Sequence, residues 1–372
     1  MPSASRLTAA IPRRSRRSQR GAGEFDLIAR IRADVARLGA GAGVAVGIGD
    51  DCAVVDAATR RARTSKARER LLLTTDTMVE GVHFQRAWMS PRQTGVRAWR
   101  AAVSDVAAMG GRPRWALLCL ELPRGENEIA QRDVTALVRA VALEARRCGA
   151  TLAGGNISAG AALSITLSIV GETDSRPVLR STARPGDLVF VTGSLGGAAA
   201  GSKALARASA ASGAALAGAR RESAAYRLPP DRIEFASRAA ALGLLHAMID
   251  VSDGLVQDLG HLARESRVRL RIDVAAVPVH AAALRLEKRS GSRGAALELA
   301  LGGGEDYELA LTASPRAWPA LERLAASQRV ALMPIGVVER GRAAVVNDDG
   351  RAILVAGFDH LRRTRPRTTK KK

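Results

Sequence analysis

Hydrophobic residues recur along the first half of the chain at two spacings, and each spacing predicts one type of element. In residues 24–38, "EFDLIARIRADVARL", apolar side chains return at helical intervals, which predicts a first helix. The stretches 92–110 and 127–148 predict further helices. Runs rich in apolar and β-branched residues instead predict strands, at 43–55, 70–79, 114–123, 151–158 and 162–172. Strands that alternate with helices indicate a mixed α/β class, α/β (α+β).

The second half repeats this alternation after a segment rich in turn residues, "SRPVLRSTARPGD" (175–187). Three stretches there read as strand–turn–helix or helix–turn–strand units: "LVFVTGSLGGAAAG" (188–201), "AMIDVSDGLVQDLGHLARES" (247–266) and "ALELALGGGEDYELALTA" (296–313). We therefore predict two α/β domains, an N-terminal Mg/ATP-binding domain at 21–180 and a C-terminal domain at 181–361.

The net charge of +21 is concentrated largely outside these predicted domains. Residues 1–20 contain six arginines and no acid, and residues 361–372 contain seven Lys or Arg and no acid. Such blocks predict disordered basic tails, at 1–20 and 362–372. The rest of the chain is more nearly balanced and has few aromatic residues, so no specific nucleic-acid surface is expected. Salt-sensitive contacts of the tails with nucleic acid or anionic lipid stay open.

Composition also limits where the protein works. No uninterrupted apolar stretch of about 18 residues occurs, so we expect no membrane span. The N-terminal arginines are not followed by the apolar stretch of an export signal. Three cysteines, Cys52, Cys119 and Cys148, form no CxxC pair, which predicts buried free thiols in a reducing compartment. The expected location is the cytoplasm.

Acidic residues repeatedly close an apolar run, beside Gly, Ser or Thr. They do so in "VGIGDDCAVV" (46–55), "LLLTTDTMVEGVHF" (71–84), "AAVSDVAAMGG" (101–111) and "IDVSDG" (249–254). The full set of candidate acids is Asp50, Asp51, Asp76, Asp105, Asp250, Asp253, Glu305 and Asp306. Carboxylates at the ends of strands can converge on one crevice, where they repel each other unless a cation lies between them.

Oxygen ligands without a His/Cys cluster favour Mg²⁺ over zinc, and neighbouring hydroxyls could add to them. Those hydroxyls belong to Thr74, Thr75, Ser104 and Ser252. Helix capping is the alternative for any single aspartate, since Asp and Ser commonly begin helices. It explains "GDD" and "TTDT" poorly, because neither leads into a helical pattern.

Two glycine-rich turns are further candidates for ligand contact. The chain lacks a P-loop signature, but "GSLGGAAAG" (193–201) could place backbone N–H groups around a phosphate at a helix start. An ordinary helix entry explains the same residues. In "LGGGEDYEL" (301–309), three glycines before two acids predict either close approach to a ligand or a tight turn. His83 in "EGVHF" either contacts a ligand or packs beside Phe84.

Seven segments taken in order resemble the thiamine-monophosphate kinases, which belong to the superfamily of aminoimidazole ribonucleotide synthetase. They are "GEFDLIARI", "GIGDDCAVV", "TTDTMVEGVHF", "SDVAAMGG", "RPGDLVFVTGSLG", "IDVSDGLVQDLGH" and "GGGEDYEL". The resemblance covers about residues 21–361. It implies a two-domain fold whose N-terminal domains form a shared β-barrel in a homodimer. It also implies phosphoryl transfer from ATP to thiamine monophosphate by in-line attack, with several Mg²⁺ ions and no phosphoenzyme.

The same resemblance assigns roles to individual residues. The implied metal ligands are Asp51, Thr74, Thr75, Asp76, Asp105, Asn156, Asp250 and Asp253. Asp250 and Asp253 are also the implied catalytic residues. The implied ATP contacts are Arg180, Ser252, Gly155 and Asn156, and the implied substrate contacts are His83, Glu305 and Phe358.

The chain departs from the family pattern at two positions. Asn156 stands where the family usually has Asp, and Ala102 where it commonly has Asn. An amide oxygen can ligate Mg²⁺ but carries no charge, so weaker ion binding is expected there. Two alternatives therefore stay open beside the kinase: a non-catalytic protein that binds nucleotide or thiamine phosphate, and a superfamily relative that acts on another substrate.

Overall fold

The computed structural model describes residues 24–37, 43–56, 70–173, 175–210, 213–355 and 357. It separates into two compact units. One unit comprises residues 1–39 and 359–372, and its described part is helix α1 (Glu24–Arg37), where the apolar spacing predicted it. Glu24 and Asp26 lie in its first turn and Arg37 in its last, which suits the helix dipole. The other unit, residues 40–358, contains the remaining described elements.

The first half of this larger unit forms a six-stranded sheet. Its strands are β1 (Val44–Val46), β2 (Ala53–Asp56), β3 (Arg70–Val79), β4 (Arg112–Pro123), β5 (Thr151–Gly160) and β6 (Ser164–Glu172). Their order is β1-β2-β3-β6-β4-β5, with antiparallel neighbours except for the parallel pair β4–β5. The five apolar runs all contain strands, but the run at 43–55 forms two, β1 and β2, with residues 47–52 between them.

Two helices, α2 (Pro91–Ala108) and α3 (Gln131–Arg147), accompany this sheet. Helix α2 begins at a capping box in which the Ser90 hydroxyl accepts from the Gln93 N–H and the Gln93 side chain accepts from the Ser90 N–H. Its residues Trp99, Val103 and Val106 are buried in one core with alternate residues of the strands.

Successive side chains of a strand point to opposite sides, so the sheet has a second face. Among the described residues, that face carries exposed side chains and is called the open face below. On β4, Ala116, Leu118 and Leu120 are buried, whereas Trp115 and Leu117 are 47% and 50% exposed. Cys119 belongs to the open set and is exposed, while Cys52 is buried. The prediction of buried thiols is therefore wrong for Cys119.

The second half forms another six-stranded sheet, in the order β12-β9-β11-β7-β10-β8. Its strands are β7 (Leu188–Thr192), β8 (Ala247–Val251), β9 (Arg269–Ile272), β10 (Glu308–Ala313), β11 (Leu332–Glu339) and β12 (Ala344–Val346). Neighbours are antiparallel except for β9 and β12. Every residue of β8 and β10 is buried, which matches their continuous apolar runs.

Helices fill the intervals between these strands. They are α4 (Gly197–Ser209), α5 (Gly213–Glu222), α6 (Ala224–Arg227), α7 (Ile233–Ala241), α8 (Leu255–Ser266), α9 (Ala281–Ser290), α10 (Ala295–Gly302) and α11 (Trp318–Ser327). Short 3₁₀ turns occur at Gly125–Asn127, Arg180–Thr182, Val274–Ala276 and Pro315–Ala317. Within the described residues, no helix is both long enough and apolar enough to span a bilayer.

Strand pairing in the second sheet brings two acidic turns side by side. Strand β8 runs antiparallel to β10, so its end at Val251 lies opposite the start of β10 at Glu308. The Glu305 N–H donates to the Ser252 carbonyl at 2.6 Å, and the Tyr307 N–H donates to the Val251 carbonyl at 2.9 Å. The "VSDG" and "GGGEDY" segments are thus bonded to each other directly.

Candidate active site and metal centre

Three buried or partly buried aspartates from separate elements meet at one point. Asp51 precedes β2, Asp105 lies near the end of α2, and Asp250 lies on β8. Each offers one carboxylate oxygen, and these three oxygens all lie within 4.8 Å of one another. The acids that the sequence singled out in three different motifs therefore converge. Such a group matches the oxygen ligands that hard divalent cations prefer.

One arginine partly neutralises this cluster. The Arg180 guanidinium donates to both carboxylate oxygens of Asp51, at 2.8 and 2.7 Å, and its backbone N–H donates to Asp50 at 3.2 Å. On the other side, the Thr74 hydroxyl donates to Asp105 at 2.6 Å. Among the described residues, Arg180 is the one cationic side chain that is hydrogen-bonded to any of the three carboxylates, and it bonds Asp51 alone. The cluster consequently keeps an excess of negative charge when its carboxyls are ionised.

Burial and mutual repulsion shift the ionisation of these acids. Burial, and next the charge of Asp51, raises the pKa of Asp250 to about 7. The same two causes raise the pKa of Asp50 to about 7. Burial and the charges of Asp250 and Asp51 also hold the pKa of Asp105 well above its usual value. Without a cation, the cluster therefore binds protons that a divalent ion would displace.

Two more predicted ligands lie near the cluster. The charge of Asp76 raises the pKa of Asp105, and the charge of Asp253 raises that of Asp250. Asp76 accepts a hydrogen bond from the Thr77 N–H at 2.7 Å. The Ser252 hydroxyl donates to Asp250 at 3.4 Å, a long contact that leaves it beside the cluster.

Thr75 and Asn156 are placed differently. Thr74 and Thr75 are consecutive on β3, so their side chains point to opposite faces, and the Thr75 hydroxyl lies 3.1 Å from that of Ser168. Asn156 and Gly155 lie on edge strand β5, and the pairing of β5 with β4 and of β4 with β6 separates them from β3 by two strands. The structure does not bring these side chains to the aspartate cluster within one chain.

The turn after β8 is held by an acid that the sequence analysis missed. Asp258, on the first turns of α8, accepts hydrogen bonds from the backbone N–H groups of Asp253 and Gly254, at 3.1 and 3.0 Å. A Cβ at Gly254, where φ is +120°, would lie 2.8 Å from the Gly302 Cα, so glycine is required there. An acid four residues after a glycine at a helix start was the available signal.

A second group of residues surrounds Glu305 and His83. The Arg97 Nη2 donates to Glu305 Oε1 at 2.5 Å. The Tyr226 hydroxyl donates to the His83 carbonyl at 2.7 Å, and the Val79 N–H donates to His83 Nδ1 at 2.9 Å. Because Nδ1 accepts, the neutral ring carries its proton on Nε2. Both implied substrate contacts are thus fixed by neighbours that the sequence analysis did not identify.

Of the two explanations for the glycines at the start of α4, the structure favours an ordinary helix entry over a phosphate site. The carboxylate of Asp306 accepts from the backbone N–H groups of Gly196 and Ala198, at 2.6 and 3.1 Å. An internal acid therefore occupies the helix start that the glycines suggested for a phosphate. Asp306 also leaves the set of acids proposed to converge with Asp105 and Asp250.

Phe358 lies outside the described residues. The glycine before it, Gly357, is close to the turn that follows β8. A Cβ there would lie 2.3 Å from the Gln257 side-chain oxygen and 2.9 Å from the Asp253 carbonyl. That close approach leaves room only for glycine at position 357.

Two family models together match most of the chain. The family model described as AIR synthase related protein, N-terminal domain, matches residues 49–173. The model described as AIR synthase related protein, C-terminal domain, matches residues 184–349. A thiamine-monophosphate kinase of Haemophilus influenzae is 31% identical over 92% of this chain and 99% of its own. This chain belongs to the thiamine-monophosphate kinase family.

Further relatives agree with this assignment. The thiamine-monophosphate kinase of Aquifex aeolicus is 35% identical over 84% of this chain and 92% of its own. A solved structure, AaThiL complexed with AMPPCP and TMP, aligns with a TM-score of 0.75 and 32% identity. That alignment covers 91% of this chain and 97% of the other. The resemblance of the sequence motifs to thiamine-monophosphate kinases and the expected α/β fold class are confirmed.

In this member of the thiamine-monophosphate kinase family, one helix carries both groups of residues. Arg97 and Asp105 are eight positions apart on α2, which corresponds to about 12 Å along the axis at 1.5 Å per residue. Eight residues are slightly more than two turns, so both side chains leave the same side of the helix. The acidic cluster and the Glu305 group therefore lie along one side of α2, separated by about two helical turns.

Proposed function

We propose that this protein transfers the γ-phosphoryl group of ATP to the phosphate of thiamine monophosphate, giving thiamine diphosphate and ADP. The observation that carries the proposal is the meeting of Asp51, Asp105 and Asp250 within 4.8 Å. Relatives that share most of the chain are named thiamine-monophosphate kinases, and a structure of one holds AMPPCP and TMP. We also propose that the protein acts on these two small substrates in the cytoplasm.

We infer that Asp51, Asp105 and Asp250 hold Mg²⁺, with Asp76, Asp253 and the Thr74 hydroxyl beside it. The donor set fits, because it consists of carboxylate and hydroxyl oxygens on a group with excess negative charge. Bound there, Mg²⁺ would neutralise charge on the phosphates of ATP. Arg180 and Ser252, at the edge of the cluster, are positioned to contact the nucleotide once its phosphates occupy this place.

At the other end of the site, Glu305 and His83 face the rings of the substrate in this proposal. Thiamine monophosphate carries its phosphate at one end, a thiazolium cation in the middle and a neutral aminopyrimidine ring at the other end. The separation of about 12 Å along α2 suits a molecule whose phosphate lies near Asp105 and whose rings lie near Glu305. A carboxylate attracts the thiazolium charge and can accept a hydrogen bond from the pyrimidine amino group.

The chemistry then needs positioning more than a nucleophilic side chain. An oxygen of the substrate phosphate attacks the γ-phosphorus in line, the bond from that phosphorus to ADP breaks, and ADP leaves with the bonding electrons. Asp250 and Asp253 are the acids we propose act at the transferring group, through the charge they supply to the metal site. No covalent intermediate with the protein is required.

We also propose that the protein works as a homodimer through the open face of the first sheet. That face presents Leu73, Trp115, Leu117 and Cys119, which are exposed. A second copy of the same sheet would cover it, as the family resemblance implies. Asn156 is paired with Cys119 and lies on this face, so we propose that Asn156 and Gly155 take part in nucleotide binding through the second copy.

A non-catalytic binding protein is less well supported. Its basis in the sequence was the loss of a carboxylate at Asn156. The structure places Asn156 away from the three converging carboxylates of the same chain. The change at position 156 therefore removes none of the three carboxylates on which the proposal rests.

The test is formation of thiamine diphosphate from thiamine monophosphate, ATP and Mg²⁺ by the full chain and by Asn156→Asp. We expect turnover by the wild type, and an equal or greater rate for Asn156→Asp at limiting Mg²⁺. Thiamine in place of thiamine monophosphate is the control acceptor and should give no product. A wild type that binds ATP but forms no thiamine diphosphate would overturn the proposal.

A further inference from the structure

Arg97 is a charged residue that is fully buried, where desolvation of its guanidinium is unfavourable. It lies in the middle of α2 and is 0% exposed. Burying a guanidinium costs several kcal/mol unless its partners compensate, and an apolar side chain of similar size is often no less stabilising. Among the described residues, its Nε has no hydrogen-bond partner. A role beyond stability is therefore needed to explain why an arginine stands here.

The partners of Arg97 point to that role. Its Nη2 donates to Glu305 Oε1 at 2.5 Å, and its Nη1 donates to the Tyr226 carbonyl. Its guanidinium carbon also lies 4.1 Å from the centre of the Tyr226 ring, in cation–π contact. One buried side chain thus joins the turn before β10 to helix α6.

Glu305 is held in a conformation that most residues avoid. Its φ is +61°, in the left-handed region, and Tyr307 follows with a φ of +50°. Such residues persist where the surroundings determine them, and they cluster at ligand sites. The Glu305 side chain is 30% exposed, and in the described part of the chain its Oε2 makes no hydrogen bond. One carboxylate oxygen is therefore anchored, while the other accepts no hydrogen bond from the described residues on a side chain that is partly exposed.

Tyr226 extends the connection to His83. It is 1% exposed, and its hydroxyl donates to the His83 carbonyl at 2.7 Å. His83, Tyr226, Arg97 and Glu305 therefore form one connected group, drawn from a loop, helix α6, helix α2 and the glycine turn.

We propose that Arg97 and Tyr226 are positioning residues that hold Glu305 and His83 as one unit and so set the affinity for the rings of the acceptor. This inference rests on the proposed function. Arg97 acts through Glu305, by fixing the orientation of its carboxylate. Tyr226 acts on His83 by donating to its backbone carbonyl, and on Glu305 through the ring face that contacts Arg97. Neither residue touches the transferring phosphoryl group in this scheme.

The experiment compares steady-state kinetics of the wild type, Arg97→Met, Arg97→Lys and Tyr226→Phe. Loss of a residue that orients a metal ligand typically costs about 10–100-fold in affinity or activity, and we use the same scale for a residue that orients a substrate-binding carboxylate. We expect Arg97→Met to raise the KM for thiamine monophosphate by about 10-fold or more, and to leave the KM for ATP within about twofold. Arg97→Lys should recover part of the loss, because an ammonium keeps the charge but not the planar fork of donors. Tyr226→Phe should give a smaller increase in the same KM.

Arg100→Met is the matched control. Arg100 lies on the same helix and pairs with Glu144 at 2.9 Å and the Pro229 carbonyl at 2.8 Å, away from Glu305. It should leave the KM for thiamine monophosphate unchanged. Should Arg97→Met fail to fold, Arg97→Lys and Tyr226→Phe carry the test.

The outcomes separate this inference from the function on which it rests. An inactive wild type would overturn both. An active wild type with unchanged KM values in Arg97→Lys and Tyr226→Phe would overturn the positioning role alone. So would an equal rise of both KM values, because a merely structural defect affects both substrates.

Discussion

Buried acids occur in two regions of the body, and their surroundings differ. In the first region, Asp51, Asp105 and Asp250 face one another, and Arg180 donates to Asp51. In the second, at the start of β10, Asp306 and Glu308 each accept hydrogen bonds from protein donors on both carboxylate oxygens. Asp306 accepts two backbone N–H groups at the start of α4. Glu308 accepts two hydrogen bonds from Arg232, both at 2.6 Å, and one from Thr192 at 2.6 Å.

The difference shows what marks a metal site. Burial raises the pKa of Asp306 to about 7, as it does for Asp250, so a raised pKa does not distinguish the two regions. What distinguishes them is the supply of donors. Acids that face donors stabilise the fold, whereas acids that face other acids need a cation from solution.

The largest expected effect comes from a change in the acid-rich region. Asp250→Asn removes one charge from the cluster while keeping the size of the side chain. We expect turnover to fall by more than about 100-fold and Mg²⁺ affinity to fall with it, because a first-ligand change costs at least as much as a change in a residue that supports a ligand. Turnover and Mg²⁺ binding by isothermal titration calorimetry are the measurements.

Asp306→Asn provides the matched control in the donor-rich region. It too is a buried aspartate with a pKa of about 7, but its oxygens face backbone N–H groups. It should lower stability by about 1 kcal/mol, because the amide NH2 of Asn cannot accept the second of the two backbone N–H groups, and it should keep Mg²⁺ affinity. Equal loss of Mg²⁺ binding in the two variants would contradict the distinction between the regions.

The sequence predicted the acid-rich region well and the donor-rich region poorly, for a physical reason. Asp51, Asp105 and Asp250 each close an apolar run, and the positions of elements in an α/β fold bring such ends together. The glycines at 193–197 and the acid Asp306 were each taken as a place for a ligand. They are 108 to 110 positions apart and bind each other instead. Pairing over that distance leaves no local pattern.

Other differences follow from strand geometry. The twofold alternation of a strand separates Thr75 from Thr74, so this outcome was available from the sequence once β3 was recognised. The position of Asn156 could not be predicted from the sequence, because it depends on the strand order β3-β6-β4-β5 in the sheet. Arg97 left one signal, a charged residue among the apolar positions of a predicted helix. Its partner Glu305 lies 208 positions away.

The second prediction sharpens the donor-rich side of the comparison. Glu308→Ala leaves Arg232, which is only 17% exposed, without its carboxylate partner. Breaking a buried pair in this way typically costs about 3–5 kcal/mol, so we expect a loss of about 3 kcal/mol in the free energy of unfolding. Urea denaturation measures it. Turnover per folded molecule should stay near the wild-type value.

The comparison variant is Glu222→Ala, which breaks the exposed pair with Arg289. Exposed pairs contribute little, so its denaturation midpoint should match that of the wild type. If Glu308→Ala were as stable as Glu222→Ala, the buried Arg232–Glu308 pair would not be a stabilising element of this sheet.

The smallest expected effect concerns pH and magnesium. The folded protein holds Asp50 and Asp250 at a pKa of about 7, above the ordinary 3.8. A raised pKa means that the folded state binds more protons than the unfolded state between about pH 4 and pH 7. The stability that these groups contribute is therefore complete below pH 3.8 and is lost as the pH rises through 7. A divalent cation replaces those protons, so Mg²⁺ should stabilise the protein more at pH 8 than at pH 6.

Thermal unfolding in EDTA and in saturating Mg²⁺, at pH 6 and pH 8, measures this difference. We expect the shift in Tm caused by Mg²⁺ to be larger at pH 8 by about 1–2 °C, the change that about 1 kcal/mol gives at an unfolding entropy of about 2.1 cal/mol/K per residue over 372 residues. Asp250→Asn should remove most of it. Asp306→Asn should keep the pH dependence of the magnesium shift. The Asp306 carboxyl also has a pKa of about 7, but its oxygens face backbone N–H groups and lie outside the proposed metal site. A magnesium shift that is independent of pH would mean that the ion displaces no protons, and the raised pKa values at the cluster would then need a cause other than an open metal site.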